Sequence, residues 1–455
     1  MIMEQQNPSM EVLEVCKISP SQSPPSDFCL PLTLFDLMFF LSPPTERILF
    51  YSPSNHHLLP FDSFLQILKH SLSLTLSHFL PLAGNLVWPN HSPHPFILYK
   101  PGDSVSLTVA KTDADFNHLS SNQLKIANQS HFLVPYLPKS QSMAPAMSLQ
   151  ITLFPNSGFS IGITTNHVVA DGRTSTLFLK SWASISKTNN NNHRPTPVFD
   201  RTAATNDPIN GLQSLYNKYF ETFISNPKSR LTSLTSKVVL SDDVVSGTFE
   251  LKRADLDNLR RKVNEVSSSI RHLTTFVLTF AYVSTCLVKS QRIEGGSKIA
   301  LSFLVDWRPR VETLGGVNYF GNGVSGYAVI FEGREFEEEN AMATVAKKIS
   351  EGITEITEVV NEKRLVEMLE ENAMRWRNEM PIDKTIVVGG SPRFGVYEID
   401  FGWGSCKKVE MVSINPSGSF SMAESRNGNG GVEVGIALPE NVMNVFSSLF
   451  FDGVK

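Results

Sequence analysis

Cysteine is scarce in this chain of 455 residues. The four cysteines are far apart and form no CxxC pair; they are Cys16, Cys29, Cys286 and Cys406. This spacing argues against both a zinc knuckle and a disulfide framework. We therefore expect a protein of a reducing compartment that holds no metal.

Long apolar runs and an excess of one charge are missing as well. No stretch reaches the roughly 18 unbroken apolar residues that a membrane-spanning helix needs. The opening MIMEQQNPSM lacks the basic and apolar regions of an export signal. With 18% charged residues and a net charge of -4, the chain offers no electrostatic attraction for nucleic acid or anionic membrane. Neither is expected as a partner, which leaves small molecules.

The chain is long enough for two or three domains, and 41% of its residues are hydrophobic. One clear break in composition runs from Ser186 to Leu212, where four consecutive Asn and several Pro replace large apolar residues. Such a stretch is typical of a linker. We predict a first domain over residues 1–185, a crossover linker over 186–212 and a second domain over 213–455.

Hydrophobic periodicity predicts mixed α and β structure in both halves. In the first half it predicts a helix over 60–79, strands over 147–154 and 159–165, and a helix after Gly172 capped by Thr174 or Ser175. In the second half it predicts strands over 247–251, 298–305, 326–331, 384–388 and 393–401, helices over 254–266 and 274–288, two more helices between 335 and 380, and a closing hairpin across 424–431.

A His and an Asp follow the second of the first-half strands, in the stretch ITTNHVVADGRTS. His167 and Asp171 would lie at a strand-turn-helix junction, which is a favoured place to expose a reactive side chain. A buried histidine beside an ordinary turn is the alternative. Metal binding is weaker, because one His and one Asp supply only two ligands.

Three further stretches are distinctive: PLAGNL at 81–86, NYFGN at 318–322 and DFGWG at 400–404. Together with HxxxD they make the chain resemble the BAHD family of plant CoA-dependent acyltransferases. The resemblance spans nearly the whole length. It implies an α+β fold of two chloramphenicol-acetyltransferase-like domains with a channel between them, in which acyl-CoA enters from one side and the acceptor from the other.

The resemblance also implies roles for the motif residues. His167 would be the general base of a direct acyl transfer, with acyl-CoA as co-substrate and no bound cofactor. Asp171 would be structural and would pair with Arg308. In DFGWG, Gly402, Trp403 and Gly404 would form a rigid turn. Asp400 would be either part of that turn or a second position of the active site.

The substrate contacts are less defined by the sequence. Asn322 and Ser391 are candidates to stabilise the oxyanion. The region where the family tends to bind CoA contains Lys252, Arg253, Thr274 and Thr275. Turn chemistry and solvated surface charge are the alternatives for these residues.

Among the branches of the family, the chain looks most like the one that acylates sugars of phenolic, flavonoid and anthocyanin glucosides, often with malonyl-CoA. Arg173 is the candidate to bind the malonyl carboxylate. Two departures keep a hydroxycinnamoyl donor open: Gly323 stands where this branch commonly has Cys, and Cys406 where it has Pro. The resemblance implies a cytosolic monomer. The alternative from another functional class is a catalytically weak homologue that only binds small molecules.

Overall fold

Strands and helices are interleaved along the whole chain, so the predicted mixed class is confirmed. The computed structural model describes residues 9–52, 60–188, 196–202, 211–224, 230–234, 240–267, 270–311, 316–359, 361–404, 406–414 and 418–455. The strands are β1 (Met10–Ile18), β2 (Phe28–Pro31), β3 (Thr45–Tyr51), β4 (Asn85–Val87), β5 (Phe96–Tyr99), β6 (Val105–Thr112), β7 (Lys125–Ile126), β8 (Met143–Pro145), β9 (Met147–Phe154), β10 (Gly158–Thr165), β11 (Val244–Leu251), β12 (Lys298–Asp306), β13 (Val324–Glu332), β14 (Thr385–Gly390), β15 (Lys408–Met411), β16 (Phe420–Glu424) and β17 (Val432–Pro439). The helices are α1 (Leu34–Leu37), α2 (Phe61–Leu76), α3 (Leu80–Ala83), α4 (Phe116–Leu119), α5 (Gly172–Thr188), α6 (Leu212–Phe223), α7 (Arg253–Val266), α8 (Thr275–Ser290), α9 (Ala341–Thr357), α10 (Glu362–Asn378) and α11 (Glu440–Gly453).

Two large sheets organise these elements. A six-stranded sheet has the order β1-β6-β9-β10-β3-β15, and a seven-stranded sheet has the order β13-β12-β14-β16-β17-β11-β7. A small sheet, β2-β5-β4-β8, accompanies the first. Each large sheet takes one strand from the other half of the chain, since β15 pairs with β3 and β7 pairs with β11. The two halves are thus joined by exchanged strands.

Most of the predicted elements are present with nearly the predicted bounds. The hairpin strands β9 and β10, helix α2, the buried helix α8 and the closing hairpin of β16 and β17 are confirmed. The predicted cap of α5 was wrong: the helix begins at Gly172, and the Asp171 side chain accepts the Thr174 N–H at 2.9 Å. A carboxylate fits this place because the first N–H groups of a helix have no partner within the helix.

The strand predicted over 393–401 was also wrong. Phe394 N donates to the Ser391 carbonyl at 3.2 Å, Gly395 has φ +62°, and Val396–Glu398 form a 3₁₀ turn. A left-handed glycine reverses the chain and prevents continued strand pairing. The alternation of apolar residues in this segment therefore reflects a packed turn.

Helices α2 and α5 pack against each other. Apolar residues of α2 recur every three or four positions, and Trp182 of α5 donates its indole N–H to the Leu68 carbonyl and to Ser71 Oγ, both at 3.1 Å. Within the described ranges, no helix has both the length and the apolar character required to cross a bilayer. Residues 189–195 and 203–210 of the predicted linker lie outside the described residues.

Candidate active site

The His167 loop is fixed by the strand that precedes it. Strand β10 lies between β9 and β3 and is buried along its whole length. After its last residue, Asn166 N donates to the Ala146 carbonyl at 2.9 Å, and Asn166 Oδ1 accepts the Val168 N–H at 3.2 Å. A tight turn at the end of a central strand therefore presents His167.

His167 has the properties of a neutral base. Its side chain is partly buried, and the ring of Phe39 stacks on the imidazole with 4.1 Å between centroids and 3° between planes. Burial lowers the pKa of His167 below its usual 6.5, and its own carbonyl, the charge of Asp171 and the Asn322 side chain offset only part of this effect. The imidazole is therefore unprotonated at neutral pH and able to accept a proton.

Asp171 does not face the imidazole; both of its oxygens are bound elsewhere. The expected ion pair is present, with Arg308 Nη2 2.6 Å from Asp171 Oδ2, and the Gly323 N–H also donates to this oxygen at 3.2 Å. Burial raises the pKa of Asp171, but Arg308 and the two N–H donors outweigh it and hold the pKa below its usual value. Both partners are buried, so the pair ties the start of α5 to the second half of the chain.

Asn322 is placed differently from the sequence-based expectation of an oxyanion contact. It is fully buried, and its Nδ2 donates to Asp36 Oδ1 at 3.0 Å, to the His167 carbonyl at 2.9 Å and to the Val168 carbonyl at 3.2 Å. With its amide hydrogens engaged in this way, Asn322 has none left for a developing oxyanion. Its position is that of a residue that holds the backbone of the His167 loop.

Arg173 and Ser391 lie next to the start of α5. Arg173 Nε forms an ion pair with Asp306 Oδ2 at 3.3 Å, and the side chain is 35% exposed. Ser391 opens the turn described above, and its Oγ accepts the Arg393 N–H at 3.2 Å. The ring of Phe394 in the same turn comes to 3.0 Å from where a Cβ at Gly172 would stand. The turn carrying Ser391 therefore abuts the HxxxD segment.

The four expected CoA contacts fall at the starts of two helices. Lys252 precedes α7 and its N–H donates to Asp255 Oδ2 at 2.8 Å, while Arg253 is exposed and forms an ion pair with Asp257 at 3.2 Å. Thr274 caps α8 by accepting the Val277 N–H at 3.3 Å, and Thr275 is the first residue of that helix. Helix starts favour anions such as phosphates.

The DFGWG turn lies at the opposite end of α5 from His167. Asp400 Oδ1 accepts the N–H groups of Gly402 at 2.8 Å and Gly404 at 3.1 Å, and Oδ2 binds Lys187 Nζ at 2.6 Å. Burial raises the pKa of Asp400, but Lys187 and the two backbone donors hold it below its usual value. Gly402 has φ +93° and Gly404 has φ +111°, which only glycine adopts readily.

Helix geometry decides between the two roles expected of Asp400. Lys187 lies about four turns after the start of α5, and at 1.5 Å per residue this is a distance of roughly 20 Å. The expectation of a second active-site position for Asp400 is therefore wrong. Trp403 packs against Phe64 with 4.2 Å between ring centroids, as expected of a structural turn.

Three residues near His167 were missed by sequence reasoning: Phe39, Asp36 and Arg201. Asp36 is fully buried, and Oδ2 binds Arg201 Nη1 at 2.8 Å while Oδ1 accepts the Asn322 N–H at 3.0 Å. A charged residue inside the apolar run LPLTLFDLMFF was the available signal, because a buried carboxylate requires partners.

A cleft opens beside Asn166, the residue that precedes His167. It encloses about 320 Å³ including its mouth, and it is lined by Ser42, Pro44, Leu137, Pro138, Lys139, Ala144, Asn166 and Leu234. Its walls combine apolar side chains with a few polar groups, as is common in small-molecule sites.

Comparison with known proteins agrees with this geometry. The chain matches the sequence model of the Transferase family over residues 9–452. It is 36% identical over 477 residues to phenolic glucoside malonyltransferase 1 of Arabidopsis thaliana, with 100% of both chains covered. It is 32% identical over 466 residues to coumaroyl-CoA:anthocyanidin 3-O-glucoside-6''-O-coumaroyltransferase 2 of the same plant, with 98% of this chain and 97% of the relative covered.

Among solved structures, the fold is similar to that of vinorine synthase, with a TM-score of 0.74 at 20% identity over 97% of this chain and 98% of the other. This likeness confirms the predicted chloramphenicol-acetyltransferase-like fold. The chain therefore belongs to the BAHD family of acyl-CoA-dependent acyltransferases.

Proposed function

We propose that this enzyme transfers a malonyl group from malonyl-CoA to a sugar hydroxyl of a phenolic, flavonoid or anthocyanin glucoside, with His167 as the general base. The observation that carries the proposal is the His167 imidazole itself, which a tight turn presents at the end of β10 and whose pKa is lowered by burial. The identity to phenolic glucoside malonyltransferase 1 supports the donor and the acceptor class.

The chemistry follows from a neutral imidazole next to bound substrates. His167 removes the proton of the acceptor hydroxyl as its oxygen attacks the thioester carbonyl. The tetrahedral intermediate then collapses, the carbon–sulfur bond breaks, and the imidazolium returns the proton to the departing CoA thiolate. One group acts as base and then as acid, so no covalent acyl-enzyme is required.

Arg173 is proposed to bind the malonyl carboxylate. Its one ion pair among the described residues uses Nε, and a planar guanidinium has further donors for a carboxylate. Ser391, in the turn that abuts Gly172, is the remaining candidate to donate to the oxyanion. Lys252, Arg253, Thr274 and Thr275 are proposed to contact the CoA phosphates through the two helix starts.

A hydroxycinnamoyl donor such as coumaroyl-CoA is the second candidate. The 32% identity to a coumaroyltransferase supports it. Gly323 and Cys406 support it too, because the malonyl branch commonly has Cys and Pro at these two positions. This alternative keeps the same role for His167 and removes the role of Arg173.

We further propose that residues 1–185 and 213–455 are two domains joined by a crossover over 186–212, and that the enzyme works as a monomer in the cytosol. The division is supported by the two large sheets, each drawn mainly from one half. The cytosol is supported by four cysteines that are all free thiols.

The test is thiol release from malonyl-, acetyl-, coumaroyl- and caffeoyl-CoA in the presence of a mixture of phenolic glucosides, with products identified by mass. A product heavier by one malonyl group supports the proposal, and His167→Ala should lower the rate by about 10²–10⁴. Preference for coumaroyl-CoA would replace the donor but keep the mechanism. Binding of a glucoside without any transfer by folded enzyme would contradict the mechanism.

A further inference from the structure

Phe39 and His167 form an unusually close aromatic contact at the centre of the candidate site. Their rings are nearly parallel, at 3°, with 4.1 Å between centroids. Phe39 is only 9% exposed, so the protein covers most of its ring. A flat apolar ring against the imidazole restricts rotation of that imidazole about its last side-chain bond.

No carboxylate provides this restriction through a hydrogen bond. In many general-base histidines a carboxylate binds the second ring nitrogen and fixes the orientation of the ring. Here both Asp171 oxygens are bound to Arg308, Gly323 and Thr174. His167 Nδ1 is buried and has no hydrogen-bond partner among the described residues. The terminal torsion of a histidine has a broad energy profile, so packing must define it.

The backbones of the two residues are held to each other by one short chain of contacts. Phe39 N donates to the Asp36 carbonyl at 3.1 Å, and Asp36 Oδ1 accepts from Asn322 N and Nδ2, both at 3.0 Å. Asn322 Nδ2 also donates to the His167 carbonyl at 2.9 Å. These contacts through Asp36 and Asn322 fix the distance between the backbones of Phe39 and His167.

We infer that Phe39 is a positioning residue, whose ring holds the His167 imidazole in the orientation that directs its free nitrogen toward the acceptor hydroxyl. The inference rests on the proposed role of His167 as general base. Phe39 touches the base and takes no part in proton transfer itself. Because misorientation of a catalytic group by about 1 Å can cost 10²-fold in rate, loss of the ring should act mainly on kcat.

Kinetics of three variants test this role. Phe39→Leu keeps an apolar side chain and loses the aromatic face, so kcat should fall by roughly tenfold or more while KM for acyl-CoA stays within about twofold. Phe39→Tyr keeps the stack and should recover most of kcat. The matched control is Phe40→Leu: Phe40 is fully buried and packs edge-on against Trp88 at 6.0 Å instead of against His167. It should lower the unfolding temperature and leave kcat unchanged.

Imidazole NMR without substrate gives a second readout that does not depend on the proposed reaction. The His167 signal is assigned by its loss in His167→Gln. In Phe39→Ala, water reaches one face of the ring, so the titration midpoint should rise toward 6.5 relative to the wild type. In Phe39→Tyr the midpoint should stay at the wild-type value.

Either of two kinetic results would overturn the inference: wild-type kcat in Phe39→Leu, or an equal loss of kcat in Phe40→Leu. An unchanged titration midpoint in Phe39→Ala would do the same. If the wild type transfers no acyl group from any thioester, the proposed function fails, and the NMR titration still decides whether Phe39 controls the imidazole.

Discussion

Replacing Arg308 by Met should destabilise the enzyme through the charge left behind on Asp171. Arg308 is 2% exposed and reaches Asp171, Asp306 and the Gly321 carbonyl at 2.6, 3.0 and 2.8 Å. Methionine fills much of the same volume without the charge. Removing one partner of a buried ion pair typically lowers the free energy of unfolding by about 3–5 kcal/mol, because the other charge is left without compensation.

This loss can be converted into a change of unfolding temperature. The unfolding entropy scales with chain length at about 2 cal/mol/K per residue, which gives a decrease of ~3–5 °C if all 455 residues unfold together. The decrease would be about 6–10 °C if each half unfolds separately. Calorimetry at pH 7 measures it, with activity followed in parallel.

Two further variants make the experiment specific to the pair. The double variant Asp171→Leu, Arg308→Met removes both charges and should recover part of the lost stability. Lys180→Met breaks the exposed pair with Glu398, which lies at 2.8 Å with the carboxylate side chain 74% exposed, and should leave the unfolding temperature unchanged. An Arg308→Met enzyme that unfolds at the wild-type temperature but has no activity would refute the structural role of the ion pair and place Asp171 in the chemistry of His167.

Three other outcomes follow from the same geometry. Because burial lowers the pKa of His167, the acidic limb of kcat/KM should have its midpoint below pH 6.5; a midpoint above that value would contradict a buried neutral base. Gly323→Ala would place a Cβ 2.7 Å from the Arg308 guanidinium and should cost ~1–3 kcal/mol in denaturant unfolding, whereas Gly326→Ala, with its nearest neighbour at 3.8 Å, should cost far less. Asp400→Asn should lower the unfolding temperature and keep kcat within about twofold, since its carboxylate lies roughly 20 Å from the start of α5; a collapse of kcat in a stable variant would be incompatible with this position.

Local pattern was sufficient where neighbours in sequence decide the structure. Strand β9 was predicted with its observed bounds, because alternating apolar residues suit a paired strand whatever its partner. The junction carrying His167 was found for the same reason. The closing hairpin likewise depends on residues close together in the chain.

Contacts between distant segments could not be read in this way. The stack of Phe39 on His167 joins residues more than 100 positions apart, and the contact between Asp36 and Asn322 joins the two halves of the chain. The sequence shows that Asn322 has an amide, but only the fold shows that its hydrogens are already donated. Residues 393–401 were predicted as strand, but Phe394 packs against Gly172 and the left-handed Gly395 turns the chain.

The pairing of β15 with β3 has a consequence for how the enzyme is made. Lys408 lies opposite Phe50, so the two strands are separated by about 360 residues of chain. At about 5–20 residues per second of synthesis, β3 waits ~20–70 s on the ribosome before its outer neighbour emerges. During this time one long edge of the six-stranded sheet has free backbone donors and acceptors, which is a known route to aggregation. Production of the active enzyme should therefore depend on chaperones that cover this edge until the last part of the chain has been translated.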